Sequence, residues 1–218
     1  DADNGHGNPL NVRRTVREFE AAGVAGVHIE DQVLPKRCGH MEGKQVVSLE
    51  EMTAKIRAAV EARRDSDFVI IARTDARATH GLEEAVRRGQ ACLQAGADVI
   101  FVEAPTTMEE MRQIAGSLQA PLFFNWARTG KSPLPPFQEV AALGYKIIAI
   151  PLDILYASWF AVREVLAAMA AEGTSAALAA RMPTFEEFNR FVGLGEYREL
   201  EERYGVAAGF SVKRELGR

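Results

Sequence analysis

Short apolar runs alternate with amphipathic stretches along most of this chain. The runs fall at residues 24–29, 68–72, 98–102, 121–124 and 146–151. Each is rich in β-branched or aromatic residues and apolar without alternation, the pattern of a parallel strand buried on both faces. Between them, apolar positions recur at helical spacing. Leu49, Met52, Ile56, Ala59 and Val60 share one face of a helix predicted over 48–63, and Leu82, Ala85, Val86, Gly89, Cys92 and Leu93 share one over 80–95.

Helix boundaries carry matching chemistry. Ser48/Glu51, Thr107/Glu110 and Thr184/Glu187 have the spacing of capping boxes. Gly23, Gly96 and Gly144 stand where helices should end in a left-handed residue. Strand–helix–strand units repeating about every 30 residues imply a parallel α/β sheet, because parallel strands need helical crossovers.

Five runs, plus a strand expected to end at Asp1, leave two architectures. One is a (β/α)8 TIM barrel lacking its first two βα units in this chain. The other is an open doubly wound sheet of six strands, which the absence of any GxGxxG after a strand disfavours. The barrel domain is expected over 1–172. A helical extension over 173–205 follows, with helices at 176–180, 185–191 and 197–204. Phe185, Phe188, Phe191, Leu194, Tyr197 and Leu200 offer more apolar surface there than a free tail should expose, so a neighbouring subunit or the barrel is expected to cover them. Residues 206–218 read as a flexible tail.

Composition narrows the class. Of the 218 residues 47% are hydrophobic and 26% charged, the balance of a globular protein, with a net charge of −4 and scattered basic pairs that argue against a nucleic-acid partner. No unbroken apolar run approaches the roughly 18 residues of a membrane span, so no membrane partner is expected. Two cysteines, Cys38 and Cys92, suit a reducing cytoplasm rather than a disulfide scaffold.

The chemistry gathers at the predicted strand ends: Asp1 and Asp3, then Glu30-Asp31, Arg73 with Asp75, Glu103, and Asn125. In a parallel barrel these positions share the C-terminal rim. Asp1, Asp3 and Glu30 form an all-oxygen set suited to Mg2+, or alternatively Mn2+; helix capping is the plainer role for either aspartate alone. Arg73 is a fork for a substrate carboxylate, or else an ion-pair partner of Asp75 or Glu103. Glu103 and Asn125 are candidate substrate contacts. In the loop 33–44, Lys36, Arg37 and His40 are expected to surround the Cys38 thiol with positive charge, while Gly39 admits a ligand close to the backbone and Gly39 and Gly43 serve as hinges. Cys92, on an apolar helix face, reads as core, and His28 as a core histidine.

The motifs Asp1-Ala2-Asp3-Asn4-Gly5-His6-Gly7, Ile29-Glu30-Asp31-Gln32, Lys36-Arg37-Cys38-Gly39-His40, Ala72-Arg73-Thr74-Asp75 and Phe101-Val102-Glu103-Ala104-Pro105 occur in order over most of the chain. Together they resemble the isocitrate lyase/phosphoenolpyruvate mutase superfamily, and the Cys38 loop resembles the gating loop of its lyase branch. The resemblance implies a (β/α)8 barrel whose last helix is swapped onto a neighbour, usually in a homotetramer. It implies Mg2+ at Asp1 and Asp3 with Glu30 assisting through water, and Cys38 as catalytic acid beside Lys36, His40 and Arg73. Gly39, Arg73, Glu103 and Asn125 match substrate-contacting positions. Asn4 and His6 depart from the family's usual Thr or Ser and aromatic or Gly.

The implied activity is Mg2+-dependent cleavage of a 2-hydroxy di- or tricarboxylate, of the 2-methylisocitrate or 2-alkylmalate type, to a 2-oxo acid and a carboxylate. The alternatives are an oxaloacetate hydrolase or decarboxylase, a phosphonate-forming phosphomutase, and a barrel kept as a binding subunit. Trp126, Leu134, Pro135 and Pro136 are candidates for reading the substrate's side group.

Overall fold

A computed structural model describes residues 1–205. The expected tail at 206–218 lies outside them. The elements run α1 (Pro9–Ala21), β1 (Gly26–Glu30), α2 (Leu49–Ala62), β2 (Val69–Thr74), α3 (Ala76–His80), α4 (Leu82–Gln94), β3 (Val99–Val102), α5 (Met108–Ser117), β4 (Leu122–Asn125), α6 (Phe137–Ala142), β5 (Tyr145–Ala149) and α7 (Asp153–Glu172). A 3-10 turn (Ala176–Arg181), α8 (Phe185–Phe191) and α9 (Leu194–Arg203) follow.

All four strand pairings are parallel, and the spatial order β1-β2-β3-β4-β5 is the sequence order. A doubly wound sheet reverses its order at a switch point; this one does not, which overturns that alternative. Residues 1–3 continue the sheet without forming an assigned strand. Ala2 N–H donates to the His28 carbonyl (3.0 Å), and Glu30 N–H donates to that of Asp3 (2.8 Å).

The sheet's two faces differ, as a period of two demands. Val27, Ile29, Ile70, Ala72, Ile100, Val102, Leu122 and Phe124 pack with the buried faces of the helices in one large core. Ile71, Val99 and Phe101 form a smaller core on the opposite face, with Val69, Phe123 and Ile147 beside it. On that inner face Phe101 stacks on Phe123 (4.4 Å between centroids), and His28 meets Phe101 edge-on at 5.7 Å. His28, Glu30, Arg73, Glu103 and Asn125 follow the same parity, so each strand's chemistry points inward at its C-terminal end.

Several local expectations are corrected. The helix expected over 80–95 is α4, which starts two residues later because Gly81 (φ 91°) separates it from the short, unexpected α3. Of the three capping boxes only Thr184/Glu187 is complete. At Ser48 and Thr107 the hydroxyl caps its helix, but Glu110 turns to Thr106 N–H and Arg77. Gly23, Gly96 and Gly144 do have positive φ, at 80°, 102° and 100°.

The chain divides into a compact unit Asp1–Tyr156 and a second from Ala157 onward. In the first, α7 begins at Asp153, which pairs with Arg128 (2.5 Å). In the second, Arg181 pairs with Glu164 (2.7 Å). The expectation that nothing matches a membrane span meets one exception: α7, 20 residues long and holding an 18-residue window of mean hydropathy 1.4, is long and apolar enough by length and composition. Its centre carries Arg163-Glu164, which is why no unbroken apolar run was visible.

Candidate active site

The carboxylate end of the site starts with a tight turn. Asp3 takes a left-handed backbone (φ 48°), a conformation Asp tolerates better than most residues, and Ala2 packs into the core with no exposed surface. Lys36, reaching over from the loop 33–44, binds the Asp3 carboxylate and lies 3.6 Å from Glu30 Oε2 and 3.8 Å from Asp1 Oδ2. Its ammonium thus stands among all three predicted metal ligands. It holds the Asp3 carboxyl below the usual range, and although burial pulls the lysine down, Asp3 and Glu30 raise it overall.

Glu30 is the informative member. It is fully buried, and neither carboxylate oxygen has a hydrogen-bond partner in the protein. Burial pushes its pKa up against the pull of Arg73 and Lys36. A buried carboxylate without hydrogen bonds is costly. Among the described residues no three acidic, His or Cys side chains already stand in gripping arrangement. The donors are nonetheless hard oxygens around a point where a cation sits, and Glu30 lacks partners. That set fits a divalent ion such as Mg2+.

Arg73 occupies the centre of the inner face. Its Nε donates to Asp75 Oδ2 (3.0 Å) and lies 3.4 Å from Glu30 Oε2, and one terminal nitrogen is 3.7 Å from Glu103 Oε2. The guanidinium also lies 4.9 Å above the Phe101 ring. It is buried, yet Glu103, Asp75 and Glu30 hold it charged more firmly than water would. The ion-pair alternative is therefore the one observed: Arg73 is paired with Asp75, and its other edge faces Glu103. His28, 3.0 Å from Asp1 Oδ1, has its pKa lowered to about 4 by burial and by Arg73, so it is neutral.

Opposite lies Glu103, buried and raised in pKa mainly by that burial, with Oε1 accepting from Asn125 Nδ2 (3.2 Å). The loop 33–44 rests on it. Gly39 packs so closely that a Cβ there would overlap the Glu103 side chain, and His40 Nε2 is 3.2 Å from Glu103 Oε1. His40 Nδ1 accepts from Lys131 N–H (2.9 Å), which ties the loop to the β4–α6 connection.

The expectation of positive charge gathered on Cys38 needs correction. Lys36 turns to the carboxylates. Arg37 donates to the Glu42 carbonyl (3.1 Å), and its backbone is clasped by Gln32, whose side chain accepts from Arg37 N–H and donates to Arg37 C=O (both 2.9 Å). Cys38 is exposed on the loop, its carbonyl accepting from Met41 N–H (2.9 Å). Gly43 has positive φ (76°), whereas Gly39 is needed for space. Sequence reading passed over Lys44, a buried cation donating to the Gly39 and Met41 carbonyls (2.7 Å to the latter), and quoted Gln32 only as the end of a motif, with no role for its side chain. Trp126 Nε1 donates to the Pro135 carbonyl (3.0 Å) and its ring meets Phe137 edge-on. Cys92 is buried, as expected, and its thiol is pushed up to about 12 by that burial.

A parallel sheet in sequence order, with acids, an arginine and an amide at its strand ends and a cysteine-bearing loop beside them, defines a TIM-barrel-like α/β protein with a polar cluster at one end of its sheet. Residues 1–170 match the family described as phosphoenolpyruvate phosphomutase, and the chain belongs to that phosphoenolpyruvate mutase/isocitrate lyase family. It is 47% identical over 206 residues to 2,3-dimethylmalate lyase of Eubacterium barkeri, covering 94% of this chain and 71% of that one. It is 45% identical to 2-methylisocitrate lyase of Aeropyrum pernix, over 92% of this chain and 65% of that one. The relatives are thus carbon–carbon lyases, and the chain spans only part of their length.

Among solved structures, oxaloacetate acetylhydrolase in complex with 3,3-difluorooxalacetate has a TM-score of 0.82 at 38% identity, covering 95% of this chain and 70% of that one. Phosphonopyruvate hydrolase in complex with oxalate and Mg2+ has a TM-score of 0.76 at 36% identity, covering 93% and 70%.

Proposed function

We propose that this chain is a Mg2+-dependent lyase that cleaves a carbon–carbon bond of a 2-hydroxy di- or tricarboxylate, releasing a 2-oxo acid and a carboxylate. The observation that carries this reading is Glu30, buried without a hydrogen bond beside Asp1 and Asp3, facing the Arg73 guanidinium beneath a loop that carries a free thiol. Asp1, Asp3 and Glu30 would hold the metal, which when bound supplies Lewis acidity to oxygens of a substrate hydroxyl and carboxylate.

The chain's own groups do the rest. Arg73 orients the substrate and neutralises charge that develops on the leaving carboxylate. Asn125, Glu103 and Gly39 line the opposite wall. As the hydroxyl proton passes to solvent, the electron pair of the C2–C3 bond leaves with C3 as an enediolate and C2 becomes the carbonyl of the 2-oxo acid. The Cys38 S–H then gives its proton to C3, with Lys36 and His40 holding the loop closed, and the thiolate takes a proton back from solvent when the loop opens. Closure keeps water from the carbanion.

The same reading places the protein in the cytoplasm as a homotetramer with C-terminal helices exchanged between subunits. The exposure of Ile154, Leu155, Trp159 and Leu166 on α7 supports it. Size-exclusion chromatography with light scattering checks the assembly. The similarity to oxaloacetate acetylhydrolase favours oxaloacetate hydrolysis as the second reading. A panel of 2-methylisocitrate, isocitrate, 2-alkylmalates and oxaloacetate, assayed with Mg2+, with EDTA, and with Cys38→Ser, separates the two. Turnover of a C3-substituted acid, lost in both controls, is the expected result. Activity confined to oxaloacetate moves the protein to the second reading, and undiminished turnover by Cys38→Ser removes the thiol as acid.

A further inference from the structure

We propose that Arg88, on the far side of the sheet from the substrate face, is a positioning residue that fixes the neck of the loop 33–44 and the orientation of Arg73 together. This rests on the reading of that loop as a lid over the site. The neck is a short antiparallel ladder. Val33 N–H donates to the Gln45 carbonyl (2.9 Å), Gln32 bridges Val46, and Val47 N–H donates to the Asp31 carbonyl (2.8 Å). Everything in the lid hangs from these two short segments.

Arg88 holds both. One terminal nitrogen donates to Asp31 Oδ2 (3.0 Å) and to the Val47 carbonyl (2.8 Å), so a single buried guanidinium grips the two sides of the neck. Its Nε is held by Glu84 (2.8 Å), one helical turn earlier on α4. The second oxygen of Asp31 accepts from Asp75 N–H (2.9 Å), and the Asp75 carboxylate accepts from Arg73 Nε (3.0 Å). Arg88, Asp31, Asp75 and Arg73 are thus linked by successive hydrogen bonds, all buried. Charged hydrogen bonds in such surroundings are short and directional, and they impose geometry on what they hold.

A purely structural ion pair would explain Arg88–Asp31 without Val47. It would not explain why the same nitrogen also takes the carbonyl at the lid's root. Nor would it explain why Asp31 spends its other oxygen on the backbone of the residue that orients Arg73.

Trypsin and a buried cysteine make the inference testable without knowing the substrate. Cleavage after Lys36 and Arg37 reports on the lid, because the backbone there must leave its clasp by Gln32 to enter a protease. Cys92, buried on α4 one turn after Arg88, reports on the integrity of the helix itself. In Arg88→Met and Arg88→Lys the rate of tryptic cleavage at these two sites is expected to rise about tenfold, the loss of one charged hydrogen bond, while Cys92 stays unreactive to iodoacetamide. Arg87→Met, an exposed neighbour, should change neither. Arg88→Lys keeps the charge, so it carries the test if Arg88→Met does not fold.

An unchanged tryptic rate in a folded Arg88 variant overturns the proposal. So does Cys92 reactivity rising in step with tryptic cleavage, which marks general loosening of α4. Neither readout needs turnover, so failure of the lyase reading would show separately, as an inactive parent protein whose lid still responds to Arg88. If the parent is active, kcat should fall in Arg88→Lys by more than KM rises.

Discussion

Gly39 lies against the carboxylate of Glu103 with no room for a side chain between them. The contact defines the closed position of the loop, since the backbone at residue 39 forms part of the wall opposite the acids. In Gly39→Ala the added methyl must push the loop off Glu103. Overpacking of this kind costs about 1–3 kcal/mol, so turnover should fall about fivefold to a hundredfold while the melting temperature changes little. Steady-state kinetics beside a thermal melt checks it. A variant as active as the parent would mean the loop reacts from another position.

His40 supplies a pH dependence. Burial, with Lys44 and Arg73 nearby, holds its pKa below the ordinary 6.5, and its Nδ1 must be unprotonated to accept from Lys131 N–H. A group whose folded pKa is depressed contributes stability above the unfolded value and loses it as pH falls toward the folded one. The melting temperature should therefore decline as pH drops below 6.5, and His40→Gln should flatten that part of the decline. Melts of both proteins between pH 7.5 and 5 test this; parallel curves would exclude His40 as the titrating group.

The thiols should differ sharply. Cys92 is buried, with its thiol pushed up to about 12, whereas Cys38 is exposed. Iodoacetamide at pH 8 should add once to the folded protein, at Cys38, and twice in denaturant. Intact mass followed by peptide mapping reads both numbers, and a second adduct under native conditions would contradict the packing of α4.

Arg73 holds three carboxylates that burial would otherwise leave uncompensated. Replacing it by Met should destabilise the protein by about 3–5 kcal/mol. Arg73→Lys keeps the charge but cannot hold Asp75 and face Glu103 at once, so it should fold and lose most activity. Urea unfolding and turnover of the two variants check the contrast.

Much of this was legible beforehand because it depends on local pattern. The five apolar runs overlap the five strands, and the inward parity of Glu30, Arg73, Glu103 and Asn125 follows from strand ends alone. Cap and turn residues were visible wherever the signal was local, as at Thr184 or Gly96. The loop chemistry was less legible. Its motif announced Cys38, but where Lys36 and Arg37 point is decided by carboxylates and carbonyls distant in sequence or contributed by backbone. Lys44, Gln32 and Arg88 carry no local signature, since each matters only through a partner that the fold delivers.

The narrow neck between residues 31–33 and 45–47 has a consequence for how such a protein diversifies. It separates where the lid attaches from what the lid contains. Residues between Val33 and Gln45 can be exchanged or lengthened while β1, α2 and the acidic cluster keep their places. New selectivity can then arise by rewriting one interchangeable flap, with the scaffold that carries the acidic cluster left as it was.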